Sequence, residues 1–284
     1  MLRLPMPLSV MFNSRAIQMS SQSEKADLLK KLHHSGKMLV LPNIWDAAGA
    51  VLLESLGYPA VATASAAIAR AHGYEDGERI PFDLLLAIVG QIVKSVNVPV
   101  SVDIEAGYAA DNEVLKSNIR RLIAVGVAGI NIEDTDVLTR ELVPMSEQVE
   151  KLKLIGRVAD RENARLFVNA RTDTFLVKSD LPSDQKLALA IERGRAYVEA
   201  GADAIYPIFV TEQEAIKTLV NALKVPVNIL AKSDAPDLDV LQKLGVARVS
   251  FGPNVHRATL LSMEALLRNV KETLSHRPVT ALLM

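Results

Sequence analysis

The sequence predicts an α/β fold, a (β/α)8 (TIM) barrel of parallel strands, on three observations. Eight short apolar segments recur along the 284 residues, four of them entered through a glycine and two through a Val-Pro-Val step. Stretches with helical periodicity fill the gaps between them. Strict alternation of strand and helix is typical of a parallel sheet, and eight such units indicate a closed barrel. An open doubly wound sheet of eight strands is the lesser alternative.

The strands are identified by their entry signals. "GYPAVAT", "GVAGINIED", "GADAIYPIF" and "GVARVSFG" each begin with a glycine that follows a helix-like stretch, where glycine is the usual left-handed cap. Two strands enter through "VPVSVDIE" and "VPVNILA", and two more read "MLVLPN" and "LFVNART". The eight strands are therefore predicted to begin near residues 39, 60, 99, 129, 166, 204, 226 and 247.

The helices are predicted from apolar spacing and caps. After Asp111, whose residue type is favoured at the N-cap, the apolar positions Leu115, Ile119, Leu122 and Ile123 follow the i, i+4, i+7, i+8 rule. No glycine-rich G-x-G-x-x-G segment or P-loop follows any strand, which gives a nucleotide-binding fold no support.

Composition narrows the classes of function. Apolar residues make up 49% of the chain and the net charge is −1, so neither a nucleic-acid surface nor a membrane-binding patch is indicated. The absence of cysteine excludes disulfides, thiolate metal sites and a cysteine nucleophile. No apolar run approaches the roughly 18 residues needed to cross a bilayer. We expect a cytoplasmic protein that acts on a small molecule, with no nucleic-acid or membrane partner.

Residues 1–23 differ from the rest, which we assign to one barrel domain, 24–284. They contain Arg3 and Arg15, are rich in serine and have no acid before Glu24. Such composition is typical of organelle transit segments, so the mitochondrial matrix is the alternative location. The segment can also be interpreted as an untargeted disordered tail, or as the product of a start codon upstream of a working start at Met19.

Carboxylates cluster at the ends of two predicted strands. In "SVDIEAGY", alternation places Asp103 and Glu105 on one face and the neighbouring β-branched residues on the other. The next strand places Glu133 on the corresponding face, and the one after it Arg171. All four charged residues lie at C-terminal strand ends, where barrel enzymes have their active sites. The charged face is therefore predicted to point into the barrel mouth.

These charges do not balance. Three acids crowd together with one arginine, so mutual repulsion should raise their pKa values unless a cation is present. Mg²⁺ suits carboxylate ligands that leave positions for water and substrate, and Mn²⁺ is a possible substitute. No histidine lies near these strand ends, which disfavours zinc. The alternative is an internal arginine–carboxylate network that only stabilises the barrel.

Together, "VDIEAGY", "GINIEDT" and "NARTDT", in this order and spacing, resemble the isocitrate lyase / phosphoenolpyruvate mutase superfamily. The resemblance extends from about Leu39 to Gly252. It implies a (β/α)8 barrel and a homotetramer, a dimer of dimers in which paired subunits exchange the eighth helix. It also implies Mg²⁺ and a 2-oxo acid, or its enolate, at the C-terminal mouth.

The resemblance assigns roles to the charged residues. Asp103, Glu105 and Glu133 correspond to the Mg²⁺ ligands, which act mostly through water, and Asp103 also borders the substrate. Arg171 corresponds to the catalytic arginine that holds the substrate's oxygen and carboxylate.

Two loops acquire roles in the same way. "TASAAIA" resembles the loop whose Ser65, with the backbone of Ala66 and Ala67, holds the substrate carboxylate. "HGYEDGERIPF" resembles the mobile gating loop, in which Asp76 matches the acidic catalytic residue; an ordinary turn residue is the alternative.

The sequence also departs from known branches. The lyases that cleave isocitrate or methylisocitrate carry a Lys-Lys/Arg-Cys-Gly-His motif where this chain reads "DTDVLTRELVP", so both activities are disfavoured. The phosphonate branch carries a Lys, an Asn and a His where Thr139, Glu141 and Ile208 stand here. Phosphonopyruvate chemistry is weakened by these differences but stays open.

We therefore predict a Mg²⁺-dependent lyase that breaks a C–C bond at C3 of a short 2-oxo acid through an enolate, with oxaloacetate decarboxylation as the simplest example. The runner-up is a phosphoenolpyruvate mutase or phosphonopyruvate hydrolase. Two further candidates are a Schiff-base aldolase that uses Lys232 and a non-enzymatic, metal-dependent 2-oxo-acid binder. His33 and His34 are expected to be solvated, and His256 to belong to the start of the last barrel helix.

Overall fold

The computed structural model describes residues 21–283, in which short parallel strands alternate with α-helices. The strands are β1 (Leu39–Leu41), β2 (Asn43–Ile44), β3 (Val61–Thr63), β4 (Val100–Asp103), β5 (Gly129–Ile132), β6 (Phe167–Thr172), β7 (Ala204–Pro207), β8 (Asn228–Leu230) and β9 (Arg248–Ser250). The helices are α1 (Gln22–His33), α2 (Ala47–Ser55), α3 (Ser65–Ala71), α4 (Phe82–Ser95), α5 (Asn112–Ala124), α6 (Met145–Arg161), α7 (Ser183–Glu199), α8 (Gln213–Leu223), α9 (Leu238–Lys243), α10 (Asn254–Thr273) and α11 (Arg277–Thr280).

The strands are arranged in a ring, and regular strand pairing is interrupted at two places. Regular pairing runs through β2-β3-β4-β5-β6-β7 and through β1-β9-β8, all of it parallel. A parallel bridge between Ile205 and Val227 joins β7 to the segment that leads into β8. At the other place, β1 and β2 are consecutive and are separated by Pro42, which has no N–H for a ladder hydrogen bond. The predicted strand positions and the parallel α/β fold are confirmed.

Alternation along the strands separates two cores, as predicted. Outward side chains such as Val100, Val102 and Ile130 are fully buried beneath the helices. Inward side chains at the N-terminal end of the barrel form a smaller apolar cluster that includes Leu41 and Phe167. Above this cluster the inward side chains become polar, so the barrel interior is apolar at one end and polar at the other.

Helix α1 closes the apolar end of the barrel. Its N-terminus is a capping box, in which the Ser21 side chain accepts from the Glu24 N–H and the Glu24 carboxylate accepts from the Ser21 N–H. Ala26 and Leu29 pack against the inner apolar cluster. Gln22 and Ser23 thus belong to this helix. Residues 1–20 lie outside the described residues, so the transit segment stays a prediction.

The prediction that His33 is solvated is wrong. Its side chain is 4% exposed and its ring stacks on Phe167, with ring centroids 4.2 Å apart. Burial lowers the pKa of His33 to about 3, and the positive charge of Arg248 adds to that effect. The charged stretch gave no sign of this, because the turn of α1 that carries His33 faces the end of the barrel. His34, one position on, is exposed as expected.

Helix α10, the eighth helix of the barrel, does not cover its own barrel. Of its side chains only His256 is buried, which confirms that His256 belongs to the first turn of this helix. Leu260, Met263 and Leu267 are 37%, 49% and 53% exposed. An apolar stripe at this spacing is typical of a helix that packs against another surface. Within residues 21–283, none of the helices combines the length and apolarity needed to span a bilayer.

The inner cluster leaves no space for a larger residue at Gly129. A Cβ atom at this position would lie 2.8 Å from the Phe167 carbonyl oxygen and 2.8 Å from Leu29 Cδ2. We expect Gly129→Ala to lower the free energy of unfolding by about 1–3 kcal/mol, because the backbone of β6 cannot move away easily. Thermal unfolding measures the change.

Gly156→Ala is the matched control. Gly156 lies within α6 and a Cβ there would meet nothing within 4 Å, so this variant should be neutral or more stable. Equal melting temperatures for the two variants would contradict the close packing of β5 against β6 and α1.

Candidate active site

A cavity of about 630 Å³ opens at the C-terminal end of the barrel. Each strand from β2 to β9 contributes at least one inward or terminal residue to its wall: Asn43, Thr63, Asp103, Asn131, Arg171, Tyr206, Leu230 and Ser250. This is the end of the barrel at which the sequence places the charged residues, and the end at which barrel enzymes carry their active sites.

Asp103 is held rigidly at the end of β4. Its Oδ2 accepts hydrogen bonds from the Ser65 hydroxyl (2.8 Å) and the Ser65 N–H (3.1 Å), and its Oδ1 accepts from Asn131 Nδ2 (2.9 Å). The Asp103 N–H donates to Thr63 Oγ1. Asn169 in turn donates to the Asn131 side-chain oxygen. The carboxylate is therefore fixed in orientation and still lines the cavity.

Arg171 connects two acidic residues at the next strand ends. Its Nη1 lies 2.7 Å from Glu133 Oε2, and its Nε and Nη2 form a forked pair with Asp173. The side chain is only 14% exposed, so water screens these ion pairs weakly. Thr135 donates a further hydrogen bond to Asp173. The guanidinium is thus oriented by protein groups while it borders the cavity.

Glu105 takes a different direction from the one that alternation predicts. Strand β4 ends at Asp103, and Glu105 lies in the following turn with φ of 49°. Its carboxylate accepts from the Tyr108 hydroxyl and from the Glu78 N–H (2.8 Å). Non-glycine residues rarely adopt this left-handed backbone conformation. The contacts with Tyr108 and Glu78 stabilise the turn in spite of it.

Burial and mutual repulsion govern the protonation of these acids. Burial raises the pKa of Glu105 to about 7; the hydrogen bond from Tyr108 opposes this, and the charges of Asp76 and Asp103 add to it. Burial raises the pKa of Glu133 well above its usual value, against the opposing charge of Arg171. The protein groups alone therefore leave negative charge at this end of the barrel incompletely balanced.

The predicted metal ligands have the oxygen donors that a hard cation prefers, but their side chains do not converge on a single point. Within residues 21–283, no three His, Cys, Asp or Glu side chains are arranged to hold a metal ion. Asp103 faces the cavity, whereas Glu105 is engaged by Tyr108 and Glu133 by Arg171. The carboxylate donors, together with the raised pKa values of Glu105 and Glu133, fit a hard cation that Asp103 would hold from the cavity side.

The loop after β3 is placed only in part as the resemblance implies. Ser65 and Ala66 line the cavity at the start of α3. Ala67 does not: it is fully buried, and its N–H donates to the Ala64 carbonyl as the helix begins. The role of Ala67 in substrate binding is therefore corrected. Backbone N–H groups at the start of a helix can bind a ligand only where they make no hydrogen bond within the helix, and the N–H of Ala67 already makes one.

Asp76 lies on an exposed loop, yet its carboxyl group borders the cavity. The Ser65 hydroxyl lies 3.4 Å from Asp76 Oδ1. Loss of hydration raises the pKa of Asp76, and the charge of Asp103 raises it further, while Arg171 opposes both. The structure thus brings Asp76 together with Ser65, Asp103 and Arg171 around one space.

Lys232 also lines this cavity, but it is already paired. Its Nζ lies 2.7 Å from Asp234 Oδ1 and 5.4 Å from the centre of the Phe209 ring. These contacts give the role of Lys232 as a Schiff-base nucleophile no support.

Several cavity residues were not singled out from the sequence. Tyr206 and Arg248 lie inside the barrel, and Arg70 and Arg257 lie at its exposed rim. For Arg248 a signal was present, because in "ARVSF" alternation places Arg248 and Ser250 on the face opposite Val249. The rim arginines belong to helices, where strand alternation gives no information.

A buried cluster supports the segment that follows β5. Asp134 is fully buried and accepts hydrogen bonds from Arg193 Nε (2.8 Å), the Tyr197 hydroxyl (2.6 Å) and the Asp173 N–H (2.8 Å). Arg193 also donates to the Val143 carbonyl. Asp134 thereby connects α7 to the segment after β6, and Arg193 connects α7 to the loop after β5 through Val143.

Comparison with known proteins agrees with this site. The family model for phosphoenolpyruvate phosphomutase matches residues 29–271. An uncharacterized protein of Mycobacterium tuberculosis is 31% identical over 243 residues, which cover 85% of this chain and 88% of that protein. The 2-methylisocitrate lyase of Aeropyrum pernix is 29% identical over 256 residues, covering 86% and 79% of the two chains. A crystal structure from Burkholderia cenocepacia J2315, provisionally assigned as a phosphonomutase, superimposes with a TM-score of 0.83 at 34% identity and covers 86% of this chain and 99% of its own.

The chain belongs to the phosphoenolpyruvate phosphomutase family, within the isocitrate lyase / phosphoenolpyruvate mutase superfamily. The resemblance seen in its motifs is therefore confirmed, and so is the (β/α)8 fold that the superfamily shares. The chain is an enzyme of the lyase type found in this superfamily, and the alternative of a non-enzymatic binding protein is not supported.

The buried cluster around Asp134 provides a test of how the site is supported. We expect Arg193→Met to lower the free energy of unfolding by about 3–5 kcal/mol, because it leaves the Asp134 carboxylate buried without its counter-charge. Tyr197→Phe removes one hydrogen bond from the same carboxylate and should cost only about 1–2 kcal/mol. Urea unfolding followed by circular dichroism measures both; equal effects would show that the charge is not the dominant contribution.

Proposed function

We propose that this enzyme cleaves a C–C bond at C3 of a short 2-oxo dicarboxylate, and that oxaloacetate, which would release CO₂ and pyruvate, is its simplest substrate. The observation that carries the proposal is that Asp103 and Arg171 border one polar cavity, in a chain that has no cysteine. Such a site can accept electron density on an oxygen atom but lacks a thiol for acid–base chemistry.

We assign Mg²⁺, with Mn²⁺ as a substitute, to the acidic end of this cavity. Asp103 would hold the ion, and Glu105 and Glu133 would act through water. When bound, such an ion supplies a Lewis acid that stabilises negative charge on the substrate's keto oxygen. Asp103 is already orientated by Ser65 and Asn131, so its position costs no reorganisation when an ion arrives.

The chain's own residues orient the substrate and handle its charge and proton. Arg171, fixed by Glu133 and Asp173, would donate hydrogen bonds to the substrate carboxylate and to the oxygen on which charge develops. The Ala66 N–H would hold the carboxylate from the start of α3, and Ser65, whose hydroxyl and N–H orient Asp103, would border it. Breaking the bond to C4 leaves its electron pair on the C2–C3 enolate. Asp76, the cavity acid outside the proposed metal ligands, would deliver a proton to C3, and its position on the cavity wall supports this role.

Phosphonate chemistry is the second candidate. It is favoured by the family match and by the 34% identical structure assigned as a phosphonomutase. Ile208 lines the cavity where that branch has a histidine, so an apolar side chain stands where a phosphonyl group would need a donor. A change in the ³¹P spectrum of phosphonopyruvate on addition of the enzyme would favour this candidate over C–C cleavage.

The proposed function predicts metal-dependent release of pyruvate from oxaloacetate. We expect EDTA to abolish the release, Mg²⁺ to restore it, and Asp103→Asn to reduce kcat/KM by about a hundredfold or more, because this variant keeps the size but removes the charge. Coupled oxidation of NADH by lactate dehydrogenase measures pyruvate, after subtraction of the rate with metal alone.

Asp239→Asn is the control for the loss of an aspartate charge. Asp239 lies on α9 in an exposed pair with Lys243, so activity should be unchanged. A rate no higher than that of Mg²⁺ alone would reject oxaloacetate as the substrate, and full activity of the Asp103 variant would reject the site.

We propose further that the enzyme forms homo-oligomers, a dimer of dimers, in which α10 packs on a second copy. The exposed stripe of Leu260, Met263 and Leu267 supports this, because the helix has its apolar side uncovered. The location of the enzyme stays a prediction: the cytoplasm, or the mitochondrial matrix if residues 1–23 act as a transit segment.

If α10 packs on a second copy of the chain, substitutions in its apolar stripe should lower the molar mass of the protein in solution. We expect Met263→Glu combined with Leu267→Glu to reduce the molar mass measured by light scattering, because two buried charges would oppose association. Asn269→Glu adds a charge on the opposite side of the helix and should leave the mass unchanged. The same mass for all three proteins would contradict packing of α10 on a second copy.

A further inference from the structure

Arg248 lies inside the barrel at the floor of the cavity. It points inward from β9 and is only 2% exposed, and it borders the same cavity as Asp103 and Arg171. Along β9 it alternates with Val249, which is buried on the outer side of the sheet. Its position is therefore set by the strand, and its guanidinium group lies beneath the proposed position of the substrate.

This guanidinium has no acidic partner among residues 21–283. The ion pairs of the described chain do not include it, and its protein contacts are to two hydroxyls, Ser250 Oγ at 3.0 Å and Ser101 Oγ at 3.5 Å. Its Nη2 makes no hydrogen bond to a described residue. Burial lowers the pKa of Arg248 to about 10, against the opposing effects of Tyr206 and of the Asp103 charge, so the group stays charged at neutral pH.

The other buried arginines of the described chain show how unusual this is. Arg171 is paired with Glu133 and Asp173, and Arg193 with Asp134. A buried charge without a partner is strongly destabilising. Because Arg171 and Arg193 are paired with acids and Arg248 is not, we expect a function that requires Arg248 to be unpaired. A ligand that brings its own negative charge would provide the missing partner.

Two further observations indicate an anionic ligand at this place. The Tyr206 hydroxyl makes no hydrogen bond to a described residue, although Tyr206 is 5% exposed and lines the cavity close to Arg171 and Arg248. The described lining of the cavity also contains five cationic residues, of which Arg171 and Lys232 are paired with acids outside the lining. Arg70, Arg248 and Arg257 remain beside the acidic Asp76 and Asp103, and this balance favours an anionic ligand.

We propose that Arg248, with the Tyr206 hydroxyl beside it, binds a second carboxylate of the substrate and so makes the enzyme selective for dicarboxylates. This inference rests on the proposed function, in which Asp103 and Arg171 hold the 2-oxo acid end. Arginine presents parallel N–H donors that match the two oxygens of a carboxylate. A monocarboxylate of the same length would leave the buried guanidinium without a partner, which is the basis of the discrimination.

The test uses two stable ligands of equal length. Malate and 2-hydroxybutyrate share a 2-hydroxy acid end and differ only in a carboxylate or a methyl group at C4. With excess Mg²⁺ and titration calorimetry, we expect the wild type to bind malate about ten- to a hundredfold more tightly. In Arg248→Met this preference should disappear, while the affinity for oxalate, which reaches only the 2-oxo acid end, should stay within about threefold.

Two more variants make the result specific. Arg248→Lys keeps the charge without the fork and should retain part of the preference, whereas Arg120→Met, at an exposed arginine on α5 outside the cavity, should retain all of it. Thermal unfolding with and without oxalate shows whether each variant is folded.

The outcomes separate this inference from the proposed reaction. Equal binding of malate and 2-hydroxybutyrate by the wild type would overturn the role of Arg248 without any variant, even if oxaloacetate is turned over. If a folded Arg248→Met protein loses affinity for malate, 2-hydroxybutyrate and oxalate equally, the inference is also overturned. That result would show that Arg248 only maintains the structure of the site. A malate preference that depends on Arg248, in an enzyme inactive on oxaloacetate, would retain the inference and reject the reaction.

Discussion

Buried negative charge at the C-terminal end of the barrel is the constraint on which the site depends. Asp103, Glu105 and Glu133 lie at the ends of two adjacent strands, and Arg171 is shared between Glu133 and Asp173. Burial raises the pKa values of Glu105 and Glu133, so the folded protein holds acids whose charges it does not balance by itself. A divalent cation is the economical way to stabilise such an arrangement, and the same cation is what a 2-oxo acid needs for activation.

The positive charges of the cavity have the complementary arrangement. Arg171 is fixed by two protein acids, whereas Arg248 donates only to the hydroxyls of Ser250 and Ser101, and its Nη2 makes no hydrogen bond to a described residue. A substrate with an anionic group at each end would satisfy both. In the proposed function, Arg171 would hold the end of the substrate that reacts and Arg248 would recognise the other end.

Much of this arrangement could be predicted from the alternation of side chains along strands. Val100 and Val102 pack outward and Asp103 faces inward because a strand repeats every two residues, and this periodicity does not depend on the rest of the fold. The inward direction of Arg248 obeys the same rule. The superfamily motifs lie on these strands, which is why the fold and the position of the cavity could both be predicted.

The predictions fail where the direction of a side chain depends on local backbone geometry or tertiary contacts and not on the periodicity of a strand. Glu105 lies past the end of its strand in a left-handed turn, so its carboxylate contacts Tyr108. Ala67 has entered helix α3, and its N–H is already used. His33 is buried because α1 closes the barrel, a tertiary contact that a charged stretch of sequence does not reveal. Each case depends on where an element ends or on what packs against it, and single-sequence patterns are weakest there.

Binding of a divalent cation by the intact enzyme is the measurement that decides whether these acids form a metal site. Titration calorimetry with Mn²⁺ or Mg²⁺, in the presence and absence of oxalate as an enolate mimic, detects the ion without requiring knowledge of the substrate. We expect one ion per chain, bound more tightly when oxalate is present, because both would occupy the space between Asp103 and Arg171. Failure of both ions to bind, with or without oxalate, would contradict a metal-dependent site at this end of the barrel.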